Sequence, residues 1–183
     1  MIFTPRRKVF ISHYKGDREE VDNFITQFKH LFIPKVIGAN DNDDFINSTD
    51  TDYVMQRIRE LYLGDSTVTL VLLGSCTHSR RYVDWEIKSS LRQGDSIIPN
   101  GLMGIVLPSQ NNRCCLPYRF QENWNQNHEN CYARYWPYPQ SDQQLINWIE
   151  DAYRARTTRN HLIKNSRDMM KYNAKCLIHE ETH

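Results

Sequence analysis

Glycine is scarce in this sequence, and the phosphate-binding motifs that depend on it are missing. Only seven of the 183 residues are glycine. Neither GxGxxG nor GxxxxGK[ST] occurs, and both motifs use glycine to let the backbone approach a phosphate closely. The chain therefore has no glycine-rich phosphate loop of the dinucleotide-binding or P-loop type.

An excess of charge and a long apolar run are missing as well. The 23 basic and 22 acidic side chains give a formal net charge of +1, so charge provides no case for nucleic acid as the main partner. No stretch approaches the roughly 18 apolar residues that a membrane span needs. The start of the chain, MIFTPRRKVFISHY, lacks the apolar region and cleavage site of a signal peptide. We therefore expect a cytoplasmic protein with no nucleic-acid or membrane partner.

The cysteines form no recognisable pattern. They are Cys76, Cys114, Cys115, Cys131 and Cys176. An odd number at irregular spacing indicates no disulfide framework, so we expect mostly free thiols. A zinc site could be assembled from residues 114–115, His128 and Cys131, but adjacent cysteines followed by a long gap match no common ligand spacing. We expect neither a bound metal nor a cofactor.

Apolar runs and helical periodicities alternate along the first 108 residues. Short apolar runs at 8–12, 35–39, 66–74 and 96–108 predict strands. The segments between them have helical spacing of apolar residues. Strict alternation predicts an α/β protein: a flavodoxin-like, three-layer fold with a central, mostly parallel sheet flanked by helices. We expect the strand order 2-1-3-4-5.

Polar residues mark where the intervening helices begin. Asp17 is a candidate N-cap of the first helix, with Glu20 as its capping-box partner. Asp50 or Thr51 is placed to cap the second helix. Ser79 is placed to cap the third, which we expect to extend to about Gln93.

The remainder of the chain is less regular. Residues 109–140 are rich in Asn, Gln, Pro and aromatics, which predicts a long loop with a last strand near CYARYWPY. Residues 142–156 have a clear helical pattern. We therefore expect a single domain over residues 1–156, followed by a C-terminal helical extension or tail over 157–183 whose end frays.

The candidate site lies at one edge of the predicted sheet. In an open parallel sheet, ligands bind beyond the carboxyl ends of the strands, near the point where the strand order reverses. Glu86 draws attention because it projects beside an apolar helix stripe, where a carboxylate is costly unless paired or used. The loops after the first three strands carry Ser12, His13 and Tyr14, then Asn40 and Phe45, and then Ser75, and Glu86 can lean toward the same crevice.

Three segments resemble one known family. The stretch YVDWEI, from Tyr82 to Ile87, resembles the W-C-x-x-E-L helix of TIR domains, with Tyr82 at the Trp position and Val83 at the Cys position. KVFISHYKGD resembles the first TIR strand, and STVTLVLLGSCTHSRRYV resembles the third strand and the turn after it. A later W-I-x-x-A-Y helix is also similar. The chain is most similar to the TIR-like proteins of the bacterial Thoeris anti-phage defence system.

The resemblance implies an activity and a partner. In that family the glutamate at the position of Glu86 catalyses cleavage of NAD⁺ between nicotinamide and ribose. The resemblance therefore implies Glu86 as the catalytic group, and the predicted substrate-binding residues are Ser12, His13, Tyr14, Asn40, Phe45, Ser75 and Tyr82. The resemblance also implies NAD⁺ as substrate with no further cofactor, an ADP-ribose-derived signal nucleotide as product, and a separate effector protein that senses this product. The product itself stays open among cyclic ADP-ribose isomers, linear ADP-ribose and an amino-acid conjugate.

Self-association is a further implication, since TIR domains often need it to complete the site. Trp85, Tyr132 and Trp136 are candidate interface residues of a homo-oligomer. Within the domain itself, an aromatic cluster predicts a second small core: Tyr132, Tyr135, Trp136 and Tyr138.

Elementary chemistry agrees with a catalytic glutamate. Nicotinamide leaves NAD⁺ as a neutral group without a general acid, and a fixed carboxylate stabilises the oxocarbenium-like ribose that remains. Three alternatives stay open. Glu86 could be a surface carboxylate paired through Lys88 or Arg81; the chain could be a non-catalytic TIR-like scaffold; or it could be a nucleoside deoxyribosyltransferase-like enzyme whose glutamate attacks the sugar directly.

Overall fold

The computed structural model describes residues 5–36 and 50–182, which form an open parallel sheet with helices on both faces. The strands are β1 (Lys8–Ser12), β2 (Ile33–Val36), β3 (Val68–Leu73), β4 (Gly101–Val106) and β5 (Arg134–Trp136). Their order across the sheet is β2-β1-β3-β4-β5, with every neighbouring pair parallel. The predicted α/β class and strand order are confirmed.

Burial along the strands follows from their place in the sheet. Every residue of β3 and β4 is buried, because these central strands have helices above and below them. The edge strands β2 and β5 are only partly buried. β2 begins at Ile33, earlier than the predicted 35–39, and includes Pro34, whose missing N–H an edge strand tolerates.

The main helices are α1 (Arg18–Phe28), α2 (Thr51–Ile58), α3 (Arg81–Ser90), α4 (Tyr118–Glu122) and α5 (Asp142–Thr158). A π-helical turn, Arg59–Leu63, continues α2. The short α4 falls inside the predicted loop 109–140, whereas α5 matches its prediction closely. No helix in the described part of the chain is both long enough and apolar enough to cross a membrane.

Two of the three predicted N-caps are wrong. The Asp17 side chain accepts no hydrogen bond from α1, and Glu20 instead accepts one from the backbone N–H of Ser109. Ser79 lies in a short 3₁₀ turn, so α3 begins only at Arg81. The cap at Asp50 is confirmed, since its carboxylate accepts hydrogen bonds from two backbone N–H groups of α2.

The two faces of the sheet carry separate apolar cores. On one face, α1 and α5 pack against alternate residues of β1, β3 and β4. On the other face, α3 packs on β3 and β4, while Trp85 joins α2 in a smaller cluster around Phe10 of β1. The predicted separate aromatic core is therefore wrong: Tyr132 and Tyr135 belong to the α3 core, and Trp136 and Tyr138 pack on the α1 and α5 core.

The C-terminal segment 163–182, which we call the strap, is ordered and contains no α-helix. It runs antiparallel along α3. Near the end of α3, Lys88 donates to the carbonyls of residues 165 and 167. In the middle of α3, Trp85 donates to the carbonyl of Met170. Just before α3, the carbonyl of Ser79 accepts from the N–H of Ala174. The strap thus buries the outer side of α3.

The strap changes two expectations. Trp85 is covered by it, and Tyr132 is fully buried with its hydroxyl donating to the carbonyl of Asn100. Neither residue is available as an interface in this structure. The expectation of free thiols is wrong for one pair, because Cys76 and Cys176 form a disulfide that joins the strap to the loop after β3.

Candidate active site

The carboxyl edge of the sheet brings together two of the predicted loops. β1 and β3 are neighbours, and the helices that follow them, α1 and α3, pack on opposite faces. The loops after these strands therefore diverge and leave the crevice where ligands bind in open parallel sheets. Residues 13–17 form one side of this crevice, and residues 74–80 form the other.

Glu86 points from α3 to the end of β1. The hydroxyl of Ser12, the last residue of that strand, donates a hydrogen bond of 2.5 Å to Glu86 Oε2. Both residues are buried, with 1% of Ser12 and 8% of Glu86 exposed. The structure therefore brings together two predicted site residues that lie 74 positions apart.

No cation pairs with Glu86 among the residues that the structure describes. Lys88 donates to strap carbonyls and Arg81 to the Tyr82 hydroxyl and another strap carbonyl. The alternative of a surface carboxylate paired with either residue is therefore wrong. Burial raises the pKa of Glu86 to about 8, and the hydrogen bond from Ser12 opposes this only in part. Glu86 is consequently protonated at neutral pH in this structure.

His13 follows Ser12 and is partly buried. Burial, with the nearby charge of Arg18, lowers the pKa of His13 to about 4. Its imidazole is therefore neutral at physiological pH and has both a donor and an acceptor nitrogen.

Tyr14 connects the two sides of the crevice. The guanidinium of Arg80, from the opposite loop, lies over the Tyr14 ring at 4.3 Å from its centroid, a cation–π contact. Arg80 is itself oriented by a hydrogen bond from its Nε to the carbonyl of Cys76. The crevice is therefore bounded by a cationic group, which suits a diphosphate.

Asp17 is a site residue that the sequence did not predict. Ser75 Oγ donates to Asp17 Oδ1 at 3.2 Å, while Oδ2 is buried without a hydrogen-bond partner within the described ranges. Burial raises the pKa of Asp17. The signal for it was Gly74 at the end of β3, since a Cβ there would overlap the Asp17 carboxylate.

Of the remaining predicted residues, Tyr82 packs in the cluster between α3 and α2, and two lie outside the described residues. The ring of Tyr82 packs edge-on against Trp85 and under Arg81, on the side of α3 that meets α2. Asn40 and Phe45 lie outside the described residues.

A surface cavity of about 450 Å³ lies elsewhere, at the amino edge of the sheet. Residues 93–94, 97–99 and the end of α5 line it. It includes no residue of the crevice and no buried carboxylate, so its size does not make it the better candidate. The chemistry favours the carboxyl edge, where pKa values are displaced and Asp17 Oδ2 is buried with no hydrogen-bond partner among the described residues.

Comparison with known families decides the identity of the fold. Residues 10–112 match the family described as Thoeris protein ThsB, TIR-like domain. The chain belongs to this family. The matched region extends from β1 past β4 and includes Ser12, Ser75 and Glu86. No curated protein sequence matches the chain significantly.

Proposed function

We propose that this chain is a cytoplasmic NAD⁺ glycohydrolase or cyclase of the Thoeris TIR-like family. It cleaves the bond between nicotinamide and ribose and yields an ADP-ribose-derived nucleotide that activates a separate effector in anti-phage defence. The observation that carries this proposal is Glu86, a buried carboxyl at the end of β1 whose hydrogen-bond partner is Ser12. Membership of the family supports the choice of substrate.

The chemistry requires Glu86 as a carboxylate. As the bond to nicotinamide breaks, positive charge moves onto the ribose, and an anion held nearby stabilises that charge. The low polarity around Glu86 strengthens this interaction. Because NAD⁺ itself carries a positive nicotinamide ring, its arrival beside Glu86 favours loss of the proton that burial retains.

The other crevice residues would bind the dinucleotide. Ser12 orients Glu86 by donating a hydrogen bond to it. The neutral His13 and the ring of Tyr14 follow Ser12 in the sequence and lie at the crevice. Arg80 is placed to contact phosphate in exchange for its contact with Tyr14. The nucleophile that captures the ribose — water, the adenine end or another acceptor — decides the product.

The experiment is incubation of the purified protein with NAD⁺ and mass-resolved chromatography of the products. Glu86→Gln keeps the size and removes the charge, and we expect it to lower nicotinamide release by about 10²–10³-fold. Glu150→Gln is the matched control, since Glu150 pairs with Arg7 at the opposite edge of the sheet. The mass of the second product identifies the group that captured the ribose.

Other outcomes point to the alternatives. Equal rates for wild type and Glu86→Gln would refute the role of Glu86. A covalent glycosyl adduct on Glu86 would favour the deoxyribosyltransferase-like mechanism. If no nicotinamide is released even in lysate of phage-infected cells, the scaffold interpretation is favoured instead.

A further inference from the structure

The end of the strap is docked on the loop that forms one side of the crevice. The N–H of Ala174 donates to the carbonyl of Ser79, and the N–H of Leu177 donates to His78 Nε2 at 3.0 Å. Between these two contacts, Cys176 is joined to Cys76 by the disulfide. The loop 74–80 therefore carries both the candidate site and the attachment point of the strap.

Hydrogen bonds and the disulfide, rather than apolar burial, hold this end of the strap in place; Asn173 Oδ1, for example, accepts from the N–H of Arg81. Tyr172 and Leu177 are 79% and 71% exposed, and Ile178 is 43% exposed. Apolar burial, which anchors most chain segments, is thus small here. The disulfide links residues 100 positions apart and supplies the covalent anchor.

The disulfide is also connected to the candidate site through short contacts. Cys76 follows Ser75, whose hydroxyl binds Asp17, and the carbonyl of Cys76 accepts from Arg80, which covers Tyr14. His179 of the strap brings Nδ1 to 3.4 Å from Cys76 Sγ. We therefore expect a movement of the strap end to shift the loop 74–80, which positions Arg80 and Ser75.

We propose that Cys76 and Cys176 form a reversible redox site that fixes the strap end against the loop 74–80, at one side of the crevice, when oxidised and releases it when reduced. A dithiol is the reductant. One of its thiolates attacks Cys176 Sγ and displaces Cys76 as a thiolate, which takes up a proton beside His179. The second thiolate of the reductant then displaces Cys176 Sγ, which is also protonated, and the reductant leaves as a cyclic disulfide. In the reverse direction, hydrogen peroxide accepts the two electrons and two protons and is released as two waters.

Release affects the candidate enzyme in a defined direction. This part of the proposal rests on the proposed function. Because the oxidised strap lies against the loop 74–80, we expect its release to open the crevice to NAD⁺. Reduction should therefore raise nicotinamide release, and a variant without the disulfide should be insensitive to reductant.

The test begins with thiol chemistry. Purified wild type, Cys176→Ser and the control Cys114→Ser are each treated with hydrogen peroxide or dithiothreitol. After unfolding without reductant, the samples are alkylated and weighed by mass spectrometry. Oxidised wild type should take up three alkyl groups, one for each free cysteine, and reduced wild type should take up five.

Hydrogen exchange then reports on the strap itself. Reduction should speed exchange in residues 171–182 of wild type and Cys114→Ser, while residues 145–156 of α5 stay unchanged. Cys176→Ser should exchange rapidly in both conditions. This measurement needs no enzymatic activity, so it shows whether reduction releases the strap even if the proposed function is wrong.

Three results would overturn the redox site. One is peroxide-treated wild type that still takes up five alkyl groups. Another is unchanged exchange of the strap on reduction. The last is stoichiometric zinc in the reduced protein that Cys176→Ser loses, because Cys76, Cys176 and His179 also lie close enough to bind one metal ion. If the strap opens on reduction but the rate of nicotinamide release does not change, its link to the crevice is refuted.

Discussion

The helix layers on the two faces of the sheet differ in what they bury. α1 and α5 bury only apolar side chains, which include Phe24 and Ile149. α3 on the other face is buried around its whole circumference and includes two carboxyl groups, Asp84 and Glu86. The α1 and α5 face is an ordinary amphipathic packing layer, whereas α3 is held between the sheet and the strap.

The two carboxyl groups of α3 differ in their hydrogen-bond partners. Asp84 receives two hydrogen bonds from the fully buried Arg119 and a third from the N–H of Met170. Glu86, two residues later, receives one hydrogen bond from the neutral Ser12. A buried charge with an opposite partner is a structural feature, whereas a buried carboxyl held protonated without a cation is a candidate functional group. Asp84 therefore helps to anchor the strap, whereas Glu86 is the candidate catalytic group.

The largest expected effect comes from breaking the buried ion pair between Arg119 and Asp84. Arg119→Met leaves Asp84 buried without its partner and also frees the strap carbonyls at Arg167 and Asp168. We expect a loss of about 3–5 kcal/mol in the free energy of unfolding, measured by urea denaturation at pH 7. Adding Asp84→Asn should restore part of it, and a double variant as unstable as the single one would contradict this account.

The second effect is a gain in stability, and it comes from removing the other carboxyl of α3, Glu86. Because folding raises the pKa of Glu86 from 4.5 to about 8, its stabilising contribution is present below pH 4.5 and is lost as the pH rises towards 8. Glu86→Gln removes this titration, so the variant should gain stability over wild type between pH 5 and 8. The gain should be on the order of 4 kcal/mol at pH 8, because the pKa rises by about 3.5 and each pKa unit corresponds to about 1.36 kcal/mol.

Thermal or urea unfolding of both proteins at several pH values measures this gain. Ile149→Val on the opposite face is the control. It should cost about 1 kcal/mol, with no dependence on pH because it adds or removes no titrating group. A pH-independent difference between wild type and Glu86→Gln would show that the carboxyl is not buried as described.

The smallest effect concerns Ser12, the hydrogen-bond partner of Glu86 among the described residues. In wild type, kcat/KM for NAD⁺ should rise with pH to a midpoint near 8, since the carboxylate is the active form and kcat/KM reports the free enzyme. Ser12→Ala removes the hydrogen bond that opposes the raised pKa, so the midpoint should move to higher pH by up to about one unit. Initial rates measured from pH 6 to 10 test this, and an unmoved midpoint would exclude Ser12 as the group that tunes Glu86.

Local patterns predicted much of this molecule. The apolar run at 66–74 identified the central strand, the alternation of strands with helices predicted the parallel sheet, and the expected flavodoxin-like strand order is the observed one. Glu86 stood out because it projects beside an apolar helix stripe, and Ser12 because it ends a strand at the carboxyl edge. The errors arose where side chains form non-local contacts: Asp17 reads as a helix cap but binds Ser75, and Cys76 reads as a free thiol but binds Cys176.

The periodicity of apolar residues and the ends of the strands were sufficient to locate the carboxyl edge and the glutamate, because both depend on neighbours within a few positions. The state of that glutamate depends on residues far away in sequence. Ser12 lies 74 positions before it, and the strap that covers α3 comes from the end of the chain. Burial and pairing set a pKa, and they exist only once the chain has folded, so the protonated Glu86 and the buried Asp84 are properties of the tertiary structure.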